Sequence, residues 1–376
     1  MMSISMYFLL TGLLLPTLPG PGTTSLPPLI DLSADTSRQV VVAQGTPQLY
    51  NGQPTTALMP DGKTIHCVWT YGHGGKCGPA KISGDGGRTW ANQPIPSNWI
   101  TAVNCPAIYL LPAPDGQLNL ITFAGSGPDK NMQQAIFSGT SWSPMRSNGV
   151  GPVGMPFCTI IPVDGGKKLL GMTNRRRPGE KVEKKSCILA QSISADGGLT
   201  WGPLRTVLDT AGLKPCEPEI IRSPKGDQLL CLIRENEKKI SLYMTSADEG
   251  QTWSSAQPLP EALWGDRHKA KYDKDGRLVI VFRDTGPHSP TKNSYVAWVG
   301  KYEDILQGNP GQYRLKLLHS YKTWDCGYSG LELLPDRTFV ATTYIKYRPG
   351  ENKNSIVCTR FSLTETDQLM ADRPQQ

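Results

Sequence analysis

The sequence predicts an all-β protein, a single six-bladed β-propeller built of four-stranded antiparallel blades. Three observations support this prediction. Six turn signals recur along the 376-residue chain, an eight-residue motif occurs three times in phase with them, and the composition combines 39 glycines and 32 prolines with only 8% aromatic residues. A closed ring of repeats holds a chain of this length as one domain, because each repeat packs mainly against its neighbours.

The first repeated feature is a tight turn before a short apolar run. Asp-Gly between apolar runs is a strong hairpin signal, because glycine tolerates the positive φ that such turns require. The turns are Asp61-Gly62, Asp115-Gly116, Asp164-Gly165, Lys225-Gly226, Asp275-Gly276 and Asp336-Arg337. Their second residues are 54, 49, 61, 50 and 61 positions apart. Six units of about fifty residues are typical of a propeller of four-stranded blades.

The second repeated feature is the Asp-box, Ser-x-Asp-x-Gly-x-Thr-Trp. Full copies begin at Ser83, Ser194 and Ser246, and a degenerate copy runs from Ser138 to Trp142. The Asp and Thr side chains are suited to bond the turn backbone while Trp packs between sheets. We therefore expect a structural role for these motifs and no catalytic one.

Asp-boxes repeated in a propeller resemble the sialidase superfamily, and the repeat covers roughly residues 29 to 361. The resemblance implies the fold, and activity has to be argued from the site, since non-enzymatic propellers also carry the motif. We expect a propeller at residues 27–365, a polar tail at 366–376 and a cleaved signal peptide at 1–22. The apolar run from Tyr7 to Leu15 is too short to span a bilayer, so a secreted or periplasmic protein is expected.

Composition excludes several other classes of function. The net charge of +7 comes from scattered lysines and arginines, which disfavours nucleic-acid binding. The nine cysteines form no CxxC pair, and neither a metal motif nor a phosphate loop is present, so no metal and no cofactor are expected. In an oxidising compartment Cys67 and Cys77 are candidates for a disulfide. The oligomeric state is not predicted.

Aligning the blades on their turns locates a candidate site. The strands before and after each turn are antiparallel, so residues nine before and about eight after the turn lie at the same rim. In blades four to six these positions place reactive side chains around one end of the central channel: Glu217, Arg267, Tyr328, Arg234 and Arg283.

Two segments carry the closest resemblance to sialidases. The segment from Glu217 to Arg234 looks like the one that holds the tyrosine-activating glutamate and a carboxylate-binding arginine. The segment from Cys326 to Asp336 looks like the one that holds the nucleophilic tyrosine. The resemblance implies that Tyr328 is the nucleophile, Glu217 its base and Arg234 a clamp on the substrate carboxylate. An arginine cluster is also expected to favour the phenolate.

The sequence departs from the family pattern at two functional positions, the first clamp arginine and the acid/base residue. Gln53 occupies the position of the first clamp arginine, and Arg38 is the nearest substitute. The loop that normally carries the acid/base aspartate has no carboxylate, so His73 is the candidate there. Asp266, Asp284 and Glu219 remain alternatives for the acid/base group.

The third clamp arginine is assigned to Arg283, with Arg267 as its competitor, and their neighbours His268 and Asp284 are expected to line the binding site. The function indicated is an exo-sialidase that removes terminal sialic acid from glycoproteins, glycolipids or oligosaccharides. The alternatives are a glycosidase or lyase acting on another acidic sugar, and a non-catalytic glycan-binding propeller.

Overall fold

A computed structural model describes residues 26–180, 186–322 and 324–373. The expected signal peptide at 1–22 lies outside these residues. The chain begins with β1 (Leu29–Asp31) and β2 (Gln39–Ala43), separated by a 3₁₀ turn at Thr36–Arg38. Blade one contains β3 (Asn51–Leu58), β4 (Ile65–Tyr71), β5 (Lys76–Ser83) and β6 (Ala91–Gln93). Blade two contains β7 (Ala107–Pro112), β8 (Leu118–Ala124), β9 (Gln133–Ile136) and β10 (Arg146–Ser147).

The remaining blades repeat this order. Blade three contains β11 (Thr159–Val163), β12 (Lys168–Arg175), β13 (Ile188–Ser194) and β14 (Arg205–Leu208). Blade four contains β15 (Pro215–Arg222), β16 (Leu229–Glu235), β17 (Leu242–Ser246) and β18 (Gln257–Pro258). Blade five contains β19 (Gly265–Tyr272), β20 (Leu278–Asp284), β21 (Tyr295–Gly300) and β22 (Tyr313–Leu318). Blade six contains β23 (Ser329–Leu333), β24 (Phe339–Ile345) and β25 (Ser355–Phe361).

The protein is a six-bladed β-propeller, as the repeats predict. All six turn signals join the first and second strands of a blade, and these strands pair antiparallel. The N-terminal β2 pairs antiparallel with β25 as the fourth strand of blade six, while β1 adds a parallel fifth strand to β22 in blade five. Both ends of the chain therefore contribute to blade six, which closes the ring.

Apolar clusters between neighbouring blades form the core. Alternate residues of a strand face opposite sides of its sheet. On β20, for example, Val279 and Val281 pack toward blade six, while Ile280 and Phe282 pack toward blade four. Each blade is consequently buried on both faces, and its stability depends on the two blades beside it.

Each full Asp-box forms a turn between the third and fourth strands of its blade. In the first copy the Asp85 carboxylate accepts hydrogen bonds from the backbone of Arg88 and Thr89, both at 2.9 Å, and Ser83 Oγ accepts one from Gly87 N. Gly87 has φ +83, which a side chain would oppose. These contacts fit the expected structural role.

The structure gives further detail on the C-terminal tail and on the cysteines. Residues Leu363–Ala371 form a helix, α2, which covers part of the expected polar tail and buries Leu363 and Thr366. A shorter helix, α1, spans Tyr302–Gln307. Cys67 and Cys77 are free buried thiols, because strand register pairs Cys67 with Lys81 and Cys77 with Thr70. No helix in the described ranges is long and apolar enough to cross a membrane.

Ring closure by β2 can be tested with two adjacent valines that face opposite sides of that strand. Val42 is 1% exposed and Val41 is 38% exposed. We expect Val42→Asp to lower the free energy of unfolding by about 3 kcal/mol or more, because an unpaired charge is buried. Val41→Asp should change it by less than about 0.5 kcal/mol. Urea denaturation measures both, and equal effects would show that β2 does not close the ring.

Candidate functional site

The first strands of blades one, four and five share the same backbone distortion at the mouth of the central channel. Gln53, Glu217 and Arg267 have φ angles of 55°, 50° and 58°, in the left-handed region that residues other than glycine rarely adopt. At each of them the register between the first and second strands shifts by a bulge. The bulges bring equivalent side chains of blades one, four and five to the same rim, as the alignment of the turns predicts.

Tyr328 and Glu217 meet across the channel. Tyr328, directly before β23, donates a short hydrogen bond from its hydroxyl to Glu217 Oε1. The two residues are 6% and 5% exposed. The expected contact is therefore present, although the residues belong to blades six and four.

Two arginines flank this pair. Arg234 Nη1 lies 3.0 Å from Glu217 Oε2, and its Nε lies 2.9 Å from Asp266 Oδ1. The guanidinium carbon of Arg267 lies 4.9 Å from the ring centroid of Tyr328, in cation–π contact. Arg267 is 5% exposed, and its Nη1 has no hydrogen-bond partner among the described residues. Positive charge thus surrounds both ends of the hydrogen bond.

Burial and the neighbouring charges shift the pKa values of Glu217 and Tyr328 in opposite directions. Burial raises the pKa of Glu217, but Arg234, Arg267 and the Tyr328 hydroxyl outweigh it and lower that pKa to about 2. Burial, followed by Cys105 and Glu217, raises the pKa of Tyr328 well above its ordinary value, and the lowering by Arg267 and Arg234 is smaller. The resting pair is a neutral phenol donating to a carboxylate, so the arginines do not produce the expected phenolate.

Arg283 occupies the position on β20 that corresponds to Arg234 on β16. Its guanidinium binds the Asp266 carboxylate through Nε at 3.0 Å and the carbonyl oxygens of Trp324 and Cys326 through Nη1. Only 7% of its side chain is exposed, against 21% for Arg234. Arg283 belongs to the arginine cluster, but most of its donors are already occupied by the protein.

Arg38 does not reach the channel. It is the last residue of the 3₁₀ turn at Thr36–Arg38 and pairs with Asp35 at 2.7 Å and with Glu365 of α2. These partners hold Arg38 at the outer edge of blade six, so its predicted place in the carboxylate clamp is wrong. Gln53 instead binds the loop that follows β4, where its Oε1 accepts a hydrogen bond from Gly74 N at 2.7 Å.

That loop carries His73 to the same rim. Its Nδ1 lies 3.3 Å from Asp325 Oδ1, and 48% of the side chain is exposed. The ring of Tyr344 neighbours both His73 and Tyr328, and its centroid lies 6.3 Å from that of His73 and 6.1 Å from that of Tyr328. The sequence analysis missed Asp325, although it stands three residues before Tyr328, directly before the segment that resembles sialidases.

Asp325 is held as a buried carboxylate. It is 1% exposed and accepts hydrogen bonds from Tyr50 and Lys322, both at 2.8 Å. Burial raises its pKa, but His73, Lys322 and Tyr50 together lower it to about 2. The ionised carboxylate therefore fixes the orientation of the His73 ring.

Three other candidates lie away from the rim. His268 is buried against the Phe282 ring and its Nε2 lies 2.8 Å from Leu263 O, so it does not line the site. Glu219 pairs with Lys269 at 3.0 Å deeper in the channel. Asp284 pairs with Arg314 inside blade five, with both side chains at most 3% exposed, so it is not available to substrate either.

Asn174 is a further residue that the sequence analysis missed. It lies on β12, and its Oδ1 accepts a hydrogen bond from Glu217 N at 3.0 Å, which supports the left-handed backbone of Glu217. Nothing in the sequence around Asn174 distinguished it from the next residues, Arg175–Arg177. No cluster of three metal-ligating side chains occurs in the part of the chain that the structure describes.

The buried pair of Asp284 and Arg314 gives a test that separates folding from function. We expect Asp284→Ala to lower the free energy of unfolding by about 3–5 kcal/mol, because it leaves Arg314 buried without its counter-charge. The double replacement Asp284→Leu with Arg314→Met should recover much of that loss. Turnover per folded molecule, measured beside urea denaturation, should not change. A selective loss of turnover in a folded Asp284 variant would place this residue in the site.

The fold is shared with glycosidases of known structure. No family model and no curated protein matches the sequence. A protein of unknown function from Dyadobacter fermentans is 17% identical with a TM-score of 0.66, covering 86% of this chain and 97% of its own. The α-L-arabinofuranosidase Arb93A of Fusarium graminearum is 12% identical with a TM-score of 0.59, covering 87% and 98%. The NanB sialidase of Streptococcus pneumoniae is 11% identical with a TM-score of 0.56, covering 87% and 71%. The propeller fold is thus one that sialidases and an arabinofuranosidase also have.

Proposed function

We propose that this protein is a glycoside hydrolase that removes a terminal acidic sugar, sialic acid in the first instance. The observation that carries the proposal is the hydrogen bond from the Tyr328 hydroxyl to Glu217, placed between Arg234 and Arg267. A phenol needs a neighbouring base to act as a nucleophile at neutral pH, because its ordinary pKa is about 10. A protein that only binds glycans needs arginines but no such pair.

The chemistry follows from the protonation of the pair. Tyr328 Oη attacks the anomeric carbon while its proton passes to Glu217 Oε1, and the bond from the anomeric carbon to the leaving oxygen breaks. Arg234 and Arg267 stabilise the substrate carboxylate, and a neutral nucleophile avoids repulsion by it. Water then attacks the anomeric carbon and gives its proton to the group that protonated the leaving oxygen. The bond between the sugar and Tyr328 Oη breaks, and Glu217 returns its proton to Tyr328.

The leaving oxygen requires a proton donor, and we assign that role to His73. The ring is half exposed at the rim and Asp325 holds its Nδ1, which leaves Nε2 for the substrate side. Export directed by residues 1–22 would bring this site to glycans outside the cytoplasm.

Gln53 favours a second candidate, an enzyme for a different acidic sugar. The position of the first clamp arginine is neutral, and most donors of Arg283 are bound to the protein. Arg234 and Arg267 remain for the substrate carboxylate, and two arginines suit a uronic acid as well as a sialic acid. Release of a fluorogenic phenol from a sialoside, compared with a glucuronide, decides between the two.

Replacement of Tyr328 by Phe removes only the hydroxyl. We expect kcat to fall by at least about a thousandfold, because the nucleophile is lost. Tyr295→Phe is the matched control, since Tyr295 is a fully buried tyrosine in the core between blades five and six. Kinetics with the fluorogenic sialoside measure both variants at matched folded concentration. Near-normal turnover by Tyr328→Phe would reject the proposed mechanism.

Replacement of His73 by Ala tests the proton donor. We expect kcat/KM to fall about 10²- to 10⁴-fold for a natural sialyl oligosaccharide. A substrate that releases a nitrophenol needs little protonation, so its loss should be about tenfold or less. Parallel rate measurements on the two substrates give the ratio. Equal losses would remove His73 from this role and make Asp266 the next residue to test.

A further inference from the structure

A groove of about 480 Å³ runs from the candidate site between blades four and five. At its inner end it is lined by Arg234, Asp266 and Arg283. Its walls are the loop after β16 and the loop after β20, both at the rim that carries Tyr328 and Glu217. A glycan whose terminal sugar occupies the channel mouth can therefore continue into this groove.

An exposed indole stands in the groove. Trp324 is 57% exposed, more than any other large apolar side chain in the described ranges. Its backbone has φ +58, and Arg283 Nη1 donates a hydrogen bond to its carbonyl oxygen. A bulky residue keeps such a conformation only where the surroundings impose it. The hydrogen bond from Arg283 thus holds the Trp324 backbone, and the exposed indole offers a face on which a sugar ring can pack.

Three exposed lysines give the groove an excess of positive charge. Lys238, Lys239 and Lys292 line it, and their ammonium groups have no carboxylate partner among the described residues. The neighbouring Glu235 forms no ion pair with these lysines, since it is 4% exposed and its oxygens accept backbone N–H groups of Lys214, Glu237, Lys238 and Lys239. The five cationic side chains of the groove outnumber its two carboxylates, Glu235 and Asp266.

We propose that this groove binds the sugar on the leaving side of the scissile bond and selects one that carries a sulfate or carboxylate. The proposal rests on the proposed function, which places the scissile bond at Tyr328. Trp324 supplies a platform for the ring and the three lysines supply the attraction for the anion. The preferred substrate is then a glycan with negative charge on two consecutive sugars.

The test compares two substrates that differ only in the leaving sugar, sialyllactose and sialyllactose sulfated on its glucose or galactose. We expect wild type to prefer the sulfated form in kcat/KM. Lys238→Gln, Lys239→Gln and Lys292→Gln should each reduce that preference roughly two- to fivefold, and 0.5 M salt should reduce it in wild type. Lys130→Gln is the matched control, because Lys130 is an exposed lysine that lines the groove between blades two and three.

Further substrates and variants identify what the groove recognises. A substrate with a uronic acid in place of the sulfated sugar distinguishes carboxylate from sulfate. Trp324→Ser should raise KM for both sialyllactoses, and Trp324→Phe should restore it. Equal kcat/KM for neutral and anionic leaving sugars, unchanged in the lysine variants, would overturn the proposal.

Failure of the proposed function gives a different result. In that case wild type cleaves no aryl sialoside, and the groove is tested by binding alone. Saturation-transfer NMR with sulfated lactose and lactose then applies to wild type and to the Lys238→Gln, Lys239→Gln double variant. Binding of sulfated lactose that the double variant loses supports the groove, and equal binding of the two sugars rejects it.

Discussion

The site depends on a left-handed residue at a bulge near the start of the inner strand. In an undisturbed strand, side chains alternate between the two faces of a blade, where apolar clusters fill the space between neighbours. The bulge at Glu217 and Arg267 breaks this alternation at the rim and brings a long charged side chain to the channel. Gln53 has the same backbone and secures the loop of His73. One local distortion, used in three blades, therefore assembles groups that lie far apart in the sequence.

Burial of these charges is tolerated because they compensate one another. Arg234 connects Glu217 to Asp266, and Asp266 in turn binds Arg283. A single charge at this depth would be strongly unfavourable, whereas a connected set keeps every ion near an opposite one. The lowered pKa of Glu217 follows from the same network, so its carboxylate stays ionised in the folded protein down to about pH 2. The stability that it contributes is full above its ordinary pKa of 4.5 and is lost as the pH falls from there to about 2.

The sequence was sufficient for the fold and for the central pair, because both rest on regular spacing. Counting nine residues back from the turn put Glu217 and Tyr328 at one height, and antiparallel pairing makes such a count reliable. The predictions for Arg38 and Asp284 were wrong for a different reason. Their positions depend on which side chains meet in three dimensions, such as Glu365 with Arg38 and Arg314 with Asp284, and spacing carries no information about that. Asp325 is close to Tyr328 in the sequence, but its role could not be predicted because it depends on contact with His73, which lies on a loop of blade one.

The raised pKa of Tyr328 constrains how the site can work. A preformed phenolate would face the Glu217 carboxylate in a buried space, and burial together with that charge opposes ionisation. In the proposed mechanism, proton transfer to Glu217 therefore accompanies bond formation to the sugar rather than preceding it. Such coupling needs the donor and acceptor already in contact, which is the arrangement that the bulge in blade four and the segment before β23 create. In the proposed function the arginines then have two roles, since they keep Glu217 ionised as a base and supply the positive charge for an acidic substrate.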